Sequence, residues 1–128
     1  MRNVSLAVIT NTKGECLLQL RDAGAPTSPN AWSLFGGHQE GSETPLETLI
    51  RELKEEISLS LAPGRFTHLD TVPYPNALIS LFRVSLTDEE EKDIRLKEGA
   101  AFRFFASGKE TLGLEMPPQV RALFQKYF

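Results

Sequence analysis

The stretch GGHQEGSETPLETLIRELKEEISL, Gly36 to Leu59, packs six glutamates into 24 residues. Thr44 is a good N-cap, Pro45 suits a first helical position, and Glu47 completes a T-x-x-E capping box. Leu46, Leu49, Ile50, Leu53 and Ile57 follow at helical spacing and fall within a stripe roughly 100° wide. The spacing predicts a helix from Pro45 to about Ile57 with this stripe on the core.

On the same projection from Leu46, Glu55 falls at roughly 180°, Glu52 at roughly 240° and Glu56 at roughly 280°. The three carboxylates therefore share one flank beside the buried stripe. Two readings of that flank are open. It is a solvated acidic face with intrahelical pairing, Glu47 with Arg51 at i, i+4 and Lys54 on the same flank. Alternatively, it is a site for a hard divalent cation, which prefers carboxylate and water oxygens. The expected Glu47–Arg51 pair leaves the three carboxylates without a basic partner on their own side. Crowding of this kind can also raise one glutamate's pKa enough to make it a candidate base.

Outward from this helix the chain reads as alternating strands and turns. Val4 to Thr10, then Glu15 to Arg21, make a hairpin around Asn11-Thr12-Lys13-Gly14, and Ala23 to Asn30 is a loop. Trp32 to Phe35 is a short apolar piece. Phe66 to Val72 and Ala77 to Leu86 read as strands joined by the Pro73-Tyr74-Pro75-Asn76 turn, and Ala101 to Ala106 as a further strand. Asp88 to Glu91 read as a solvated loop. Pro117 to Phe128 carries Val120, Leu123, Phe124 and Tyr127 at helical spacing. The order predicts an α/β (α+β) domain with a mixed sheet and helices packed on it.

At 128 residues one domain, 1–128, is expected. The formal net charge of -3 argues against nonspecific nucleic-acid binding, which needs clustered Lys and Arg. No segment approaches a membrane span, and the N-terminus lacks a signal-peptide pattern, so a cytoplasmic location is expected. The one cysteine, Cys16, sits in an apolar run and reads as a reduced core residue.

The stretch from Gly37 to Leu59 resembles the signature of the Nudix hydrolases, G-x5-E-x7-R-E-U-x-E-E-x-G-U, where U is a bulky aliphatic. Gly37, Glu43, Arg51, Glu52, Leu53, Glu55, Glu56 and Leu59 match it. Ser58 stands where the family has glycine, so either serine bears a left-handed backbone there or the chain leaves the helix differently. Phe35 also departs from the proline common before the glycine pair. Lys97-Glu98-Gly99, ahead of an aromatic strand, resembles the loop that supplies a further carboxylate in mutator-type members. The resemblance implies a Nudix-like α/β/α sandwich with a central mixed β-sheet.

It also implies hydrolysis of the pyrophosphate bond in a nucleoside diphosphate linked to another group, with Mg2+ or Mn2+ as cofactor. The metal ligands it implies are Gly37, through its carbonyl, with Glu52, Glu55, Glu56 and Glu98. Arg51 would orient a glutamate, Glu43 would brace the loop or join the outer metal shell, and the base would be Glu98 or one of Glu52, Glu55 and Glu56. Arg21 matches a position that contacts substrate phosphate in relatives, although a plain surface arginine reads as well. Trp32, Tyr74 and Phe105 are candidates for stacking on a base, although each taken singly is more often core. His38 alone makes no zinc site, and His68 reads as structural. The expected partner is a small nucleotide, a (deoxy)nucleoside triphosphate with oxidised forms included, bound by a monomer or homodimer with no nucleic acid and no membrane. The alternatives are a nucleotide-sensing module of the same fold, and an isopentenyl-diphosphate-type isomerase, which calls for an active-site cysteine.

Overall fold

The computed structural model describes residues 2–26, 28–97, 99–106 and 108–128. Strands β1 (Arg2–Thr10), β2 (Cys16–Leu20), β3 (Trp32–Ser33) and β4 (Phe35–His38) precede helix α1 (Pro45–Ile57). Strands β5 (Thr67–Tyr74) and β6 (Ala77–Ser85), helix α2 (Asp88–Asp93), strand β7 (Ala101–Phe105) and helix α3 (Pro118–Tyr127) follow. The sheet runs β3-β2-β1-β6-β5, with β4 on β1 and β7 on β2. β1 and β6 are parallel while the remaining pairs are antiparallel, so the sheet is mixed as expected.

Period-two alternation sends successive side chains of β1 to opposite faces. Ala7 and Ile9 join Leu17, Phe35, Leu49, Leu53 and Ile57 on the α1 face. Leu6 and Val8 join Cys16, Leu18, Leu81, Val120 and Phe124 on the α3 face. Burial on both faces explains why β1 and β2 read as continuous apolar runs. The Cys16 thiol is fully buried in this second layer, and burial pushes its pKa up to about 12. No described helix is long and apolar enough to cross a membrane.

Helix α1 has the expected bounds and the expected start. The Thr44 side chain accepts from the Glu47 amide at 3.2 Å, and the Glu47 carboxylate accepts from the Thr44 amide at 2.8 Å. Buried Ser5 donates its hydroxyl to the Pro45 carbonyl at 2.8 Å, which ties the first turn to β1. The helix ends on Ser58 at φ 63 and ψ 25, the left-handed conformation, and its hydroxyl donates to the Arg95 carbonyl at 3.2 Å. Serine thus takes the backbone shape that glycine favours, and a hydrogen bond offsets part of the strain. The Arg95 amide donates to the Ile57 carbonyl and the Lys97 amide to the Glu56 carbonyl, capping orphan carbonyls of the last turn.

One expectation fails in the acidic run. Asp88 to Glu91 belong to α2, opened by a second capping box between Thr87 and Glu90. Its carboxylates are partnered: Glu90 takes two bonds from Arg65 at 2.7 and 2.8 Å, and Glu91 accepts from Asn11 at 2.7 Å. The Arg65 guanidinium beside Glu90 holds its carboxyl down at about 2.

Candidate active site

The short strand β4 and the flank of α1 form one acidic wall because glycine lets them approach. Gly37 faces Glu52, and a Cβ built on Gly37 would stand 2.5 Å from Glu52 Oε1. Gly36 lies closer still to β1, where a Cβ would overlap the Ser5 carbonyl oxygen and stand 2.9 Å from Leu6 Cα, and its φ is +153. The Gly36 amide donates to Glu56 Oε1 at 3.2 Å. The glycine pair therefore closes the gap between sheet and helix, and both carboxylates rest on its backbone.

The exposure of the three glutamates follows their angle from the apolar stripe. Glu56, nearest the stripe, is 6% exposed, whereas the Glu52 and Glu55 side chains are 16% and 50% exposed. They are not equivalent in contacts either. Arg51 Nη1 donates to Glu52 Oε1 at 2.9 Å and to Glu55 Oε2 at 3.3 Å, while Glu56 turns to Gly36. Glu55 thus has a basic partner at i−4, contrary to expectation. The expected Glu47–Arg51 pair is absent among the described contacts because Glu47 is spent on the cap.

Arg51 is itself held by the loop that precedes the helix. Its Nε and Nη2 donate to the two Glu43 oxygens at 2.7 and 3.0 Å, and Nη2 also donates to the His38 carbonyl at 3.0 Å. Glu43 accepts further from the Glu40 amide at 2.9 Å and the Thr48 hydroxyl at 3.1 Å. Such bidentate, charge-assisted pairing strongly favours the ionised carboxylate. The bonds from Arg51 hold the Glu43 carboxyl down at about 2, and Glu43 in turn pushes the Arg51 guanidinium above its ordinary value. Glu43 therefore braces the loop on the helix, and it also covers Thr48, which is fully buried although it lies off the apolar stripe.

Beside this wall a cleft of about 490 Å³ is bordered by Gln19, Arg21, Asp22, Glu56, Lys97 and Gly99. One buried carboxylate thus faces the same space as two cationic residues. Among the described residues no group of three or more His, Cys, Asp and Glu side chains is arranged to hold a metal ion. The donor chemistry nevertheless fits a hard cation. Glu52 and Glu56 offer only carboxylate oxygen beside the Gly36-Gly37 backbone, and Mg2+ characteristically takes one or two protein carboxylates with water and phosphate. Glu98, expected as a ligand or base, lies outside the described residues.

The aromatic candidates divide. Phe105 is buried against Trp32 in an edge-to-face pair at 5.3 Å, so it is core. Tyr74 is half-buried and lines a second cavity. His68 bonds Thr71 and packs edge-on against Phe82, a structural role as expected. Desolvation, with the charges of Arg2 and Arg21, pulls the His38 imidazole below its ordinary pKa.

A family model described as NUDIX domain matches residues 1–122. Over 62 residues the chain is 40% identical to m7GpppN-mRNA hydrolase NUDT17 of Danio rerio, a match covering 48% of this chain. It spans only about a fifth of that relative's length, 21%. Among solved structures, the MutT NUDIX hydrolase of Burkholderia pseudomallei aligns with a TM-score of 0.79 at 22% identity, over 99% of this chain and 98% of the other. The MutT protein of Methanosarcina mazei Go1 aligns with a TM-score of 0.76 at 25% identity, over 98% and 91%.

Proposed function

The chain belongs to the NUDIX family, and on that footing we propose that it is a divalent-metal-dependent pyrophosphohydrolase. Its substrate is a nucleoside diphosphate linked to a second group, with a small (deoxy)nucleoside triphosphate, oxidised forms included, as the favoured case. One observation carries this reading: buried Glu56 borders the same cleft as Arg21 and Lys97, with Glu52 seated on Gly37 beside it. An acidic wall facing cationic side chains suits a ligand that is polyanionic and metal-associated, which a solvated helix face does not require.

The Gly37 carbonyl with Glu52, Glu55, Glu56 and Glu98 would hold Mg2+ or Mn2+, which when bound neutralises pyrophosphate charge and lowers the pKa of the attacking water. Arg21 and Lys97, which border the same cleft, bind phosphoryl oxygens. Arg51 orients Glu52 and Glu55 through its hydrogen bonds, and Glu43 keeps Arg51 in place. One of Glu52, Glu55, Glu56 and Glu98 accepts the proton of the water that attacks phosphorus. The anhydride P–O bond breaks, and the leaving phosphate departs as its anion.

A screen of nucleoside triphosphates and nucleoside-diphosphate derivatives with Mg2+ or Mn2+, quantifying released phosphate and pyrophosphate, tests the proposal. Turnover by the natural chain and a loss of about a hundredfold or more in Glu56→Gln support it. Absence of turnover on every compound, with tight nucleotide binding retained, points instead to a sensing module.

A further inference from the structure

A second cavity, about 400 Å³, lies on the opposite face of the sheet, above β1 and β6 and beside α3. Its floor is apolar, made by Val4, Leu6, Ile79 and Val120, with Tyr74 at its wall. Arg21 borders both this cavity and the carboxylate cleft, so the two meet at one side chain. Its size sits toward the lower end of the range for small-ligand sites, about 300–1,000 Å³, and suits one ring system rather than two.

Two pairings place a cation at its rim. Val4 pairs with His38 across the antiparallel β1–β4 ladder, which turns the His38 ring to this face. Arg2 pairs with Ala77 in the parallel β1–β6 ladder, and its amide donates to the Asn76 carbonyl at 3.3 Å. The Arg2 guanidinium, through Nη2, meets the His38 ring, lying 3.5 Å from Nδ1 and closer to Nε2. Strand register and this contact together hold an exposed guanidinium at the mouth of an apolar slot.

We propose that Arg2 is a specificity-determining residue, and that the cavity takes a nucleotide ring whose edge carries carbonyl oxygens, of guanine or uracil type, over adenine or cytosine. The inference rests on the pyrophosphohydrolase reading. A guanidinium is a donor only, with five N–H groups in a planar fork, and it pairs with the O6/N7 edge of guanine or with a uracil carbonyl. An exocyclic amino group in the same position sets donor against donor. The apolar floor and Tyr74 accept the ring face without regard to its edge.

The test compares the natural chain with Arg2→Met and Arg2→Lys. GMP, UMP, AMP and CMP are titrated by calorimetry, and kcat/KM is measured on the four triphosphates with Mg2+. The natural chain prefers the carbonyl-edged pair in both assays. Arg2→Met lowers the ratio of carbonyl-edged to amino-edged affinity about tenfold, and Arg2→Lys, which keeps charge but loses the fork, lowers it less. An unmoved ratio, or equal weakening of all four ligands, overturns the role of Arg2 while leaving the hydrolase reading intact. A natural chain that binds none of the four and turns over no triphosphate overturns both.

Discussion

Gly37 lies so close to Glu52 that a Cβ at position 37 would stand 2.5 Å from the Oε1 of that carboxylate. The neighbour is the far end of a flexible side chain, and it can swing away. Gly36 differs, because its Cβ would meet the backbone of β1, which cannot. Gly37→Ala should therefore keep the fold, with an unfolding midpoint close to the natural one, while turnover falls about tenfold or more as Glu52 leaves its place. Gly36→Ala should instead give a protein that is largely unfolded or insoluble. Circular dichroism melts paired with phosphate-release assays distinguish the two, and equal effects of both substitutions would contradict this division.

The Glu43 carboxyl, held at about 2 by Arg51, links the site to acid stability. Its folded pKa is depressed below the ordinary 4.5, so the stabilisation is complete above pH 4.5 and is lost as pH falls towards 2. Glu43→Gln has no such proton to take up. Urea midpoints between pH 6 and pH 2.5 should fall less steeply for Glu43→Gln than for the natural chain. Parallel slopes would show that Glu43 is not the linked group.

Ser58 tests the one misfit in the signature. Its left-handed backbone costs serine about 1 kcal/mol, and its bond to the Arg95 carbonyl returns part of that. Ser58→Ala keeps the strain and loses the bond, so it should destabilise by about 0.5–1 kcal/mol. Ser58→Gly loses the bond but relieves the strain, and it should fall within about 0.5 kcal/mol of the natural chain. Chemical denaturation that ranks Ala above Gly would contradict the assignment.

Helix α2 is opened by a capping box set within the charge run. Thr87→Ala removes one half of its capping box and should cost about 1 kcal/mol, with no change in turnover. A loss of turnover without loss of stability would give α2 a role in the site that its contacts do not suggest.

What was legible in the chain, and what was not, follows from the range of the forces involved. The bounds of α1 were legible because capping box and apolar stripe are local, and the angles of Glu52, Glu55 and Glu56 already ordered their burial. The partners of Arg51 were not. They depend on the loop at Glu40 to Glu43 folding back over the helix, which also buries Thr48 on a flank where periodicity expects exposure. The expected Glu47–Arg51 pair failed because one carboxylate cannot serve both cap and ion pair. The Thr87–Glu90 box had the same local signal as Thr44–Glu47, yet no apolar stripe followed it, and the run read as loop. The second cavity joins Arg2, His38 and Tyr74 only when the β1–β4, β1–β6 and β5–β6 registers combine, and no local pattern specifies that combination.

The α1 flank against Gly36-Gly37 is proposed as a divalent-cation site serving hydrolysis. Mn2+ binding, followed by electron paramagnetic resonance in the natural chain and in Glu56→Gln, addresses it without reference to any substrate. Glutamine can still accept from the Gly36 amide, so the fold should persist while a charged ligand is removed. The natural chain should bind Mn2+ saturably and Glu56→Gln at least about tenfold more weakly, with turnover lost in step. Equal Mn2+ affinity in the two proteins, or full turnover by Glu56→Gln, would contradict it.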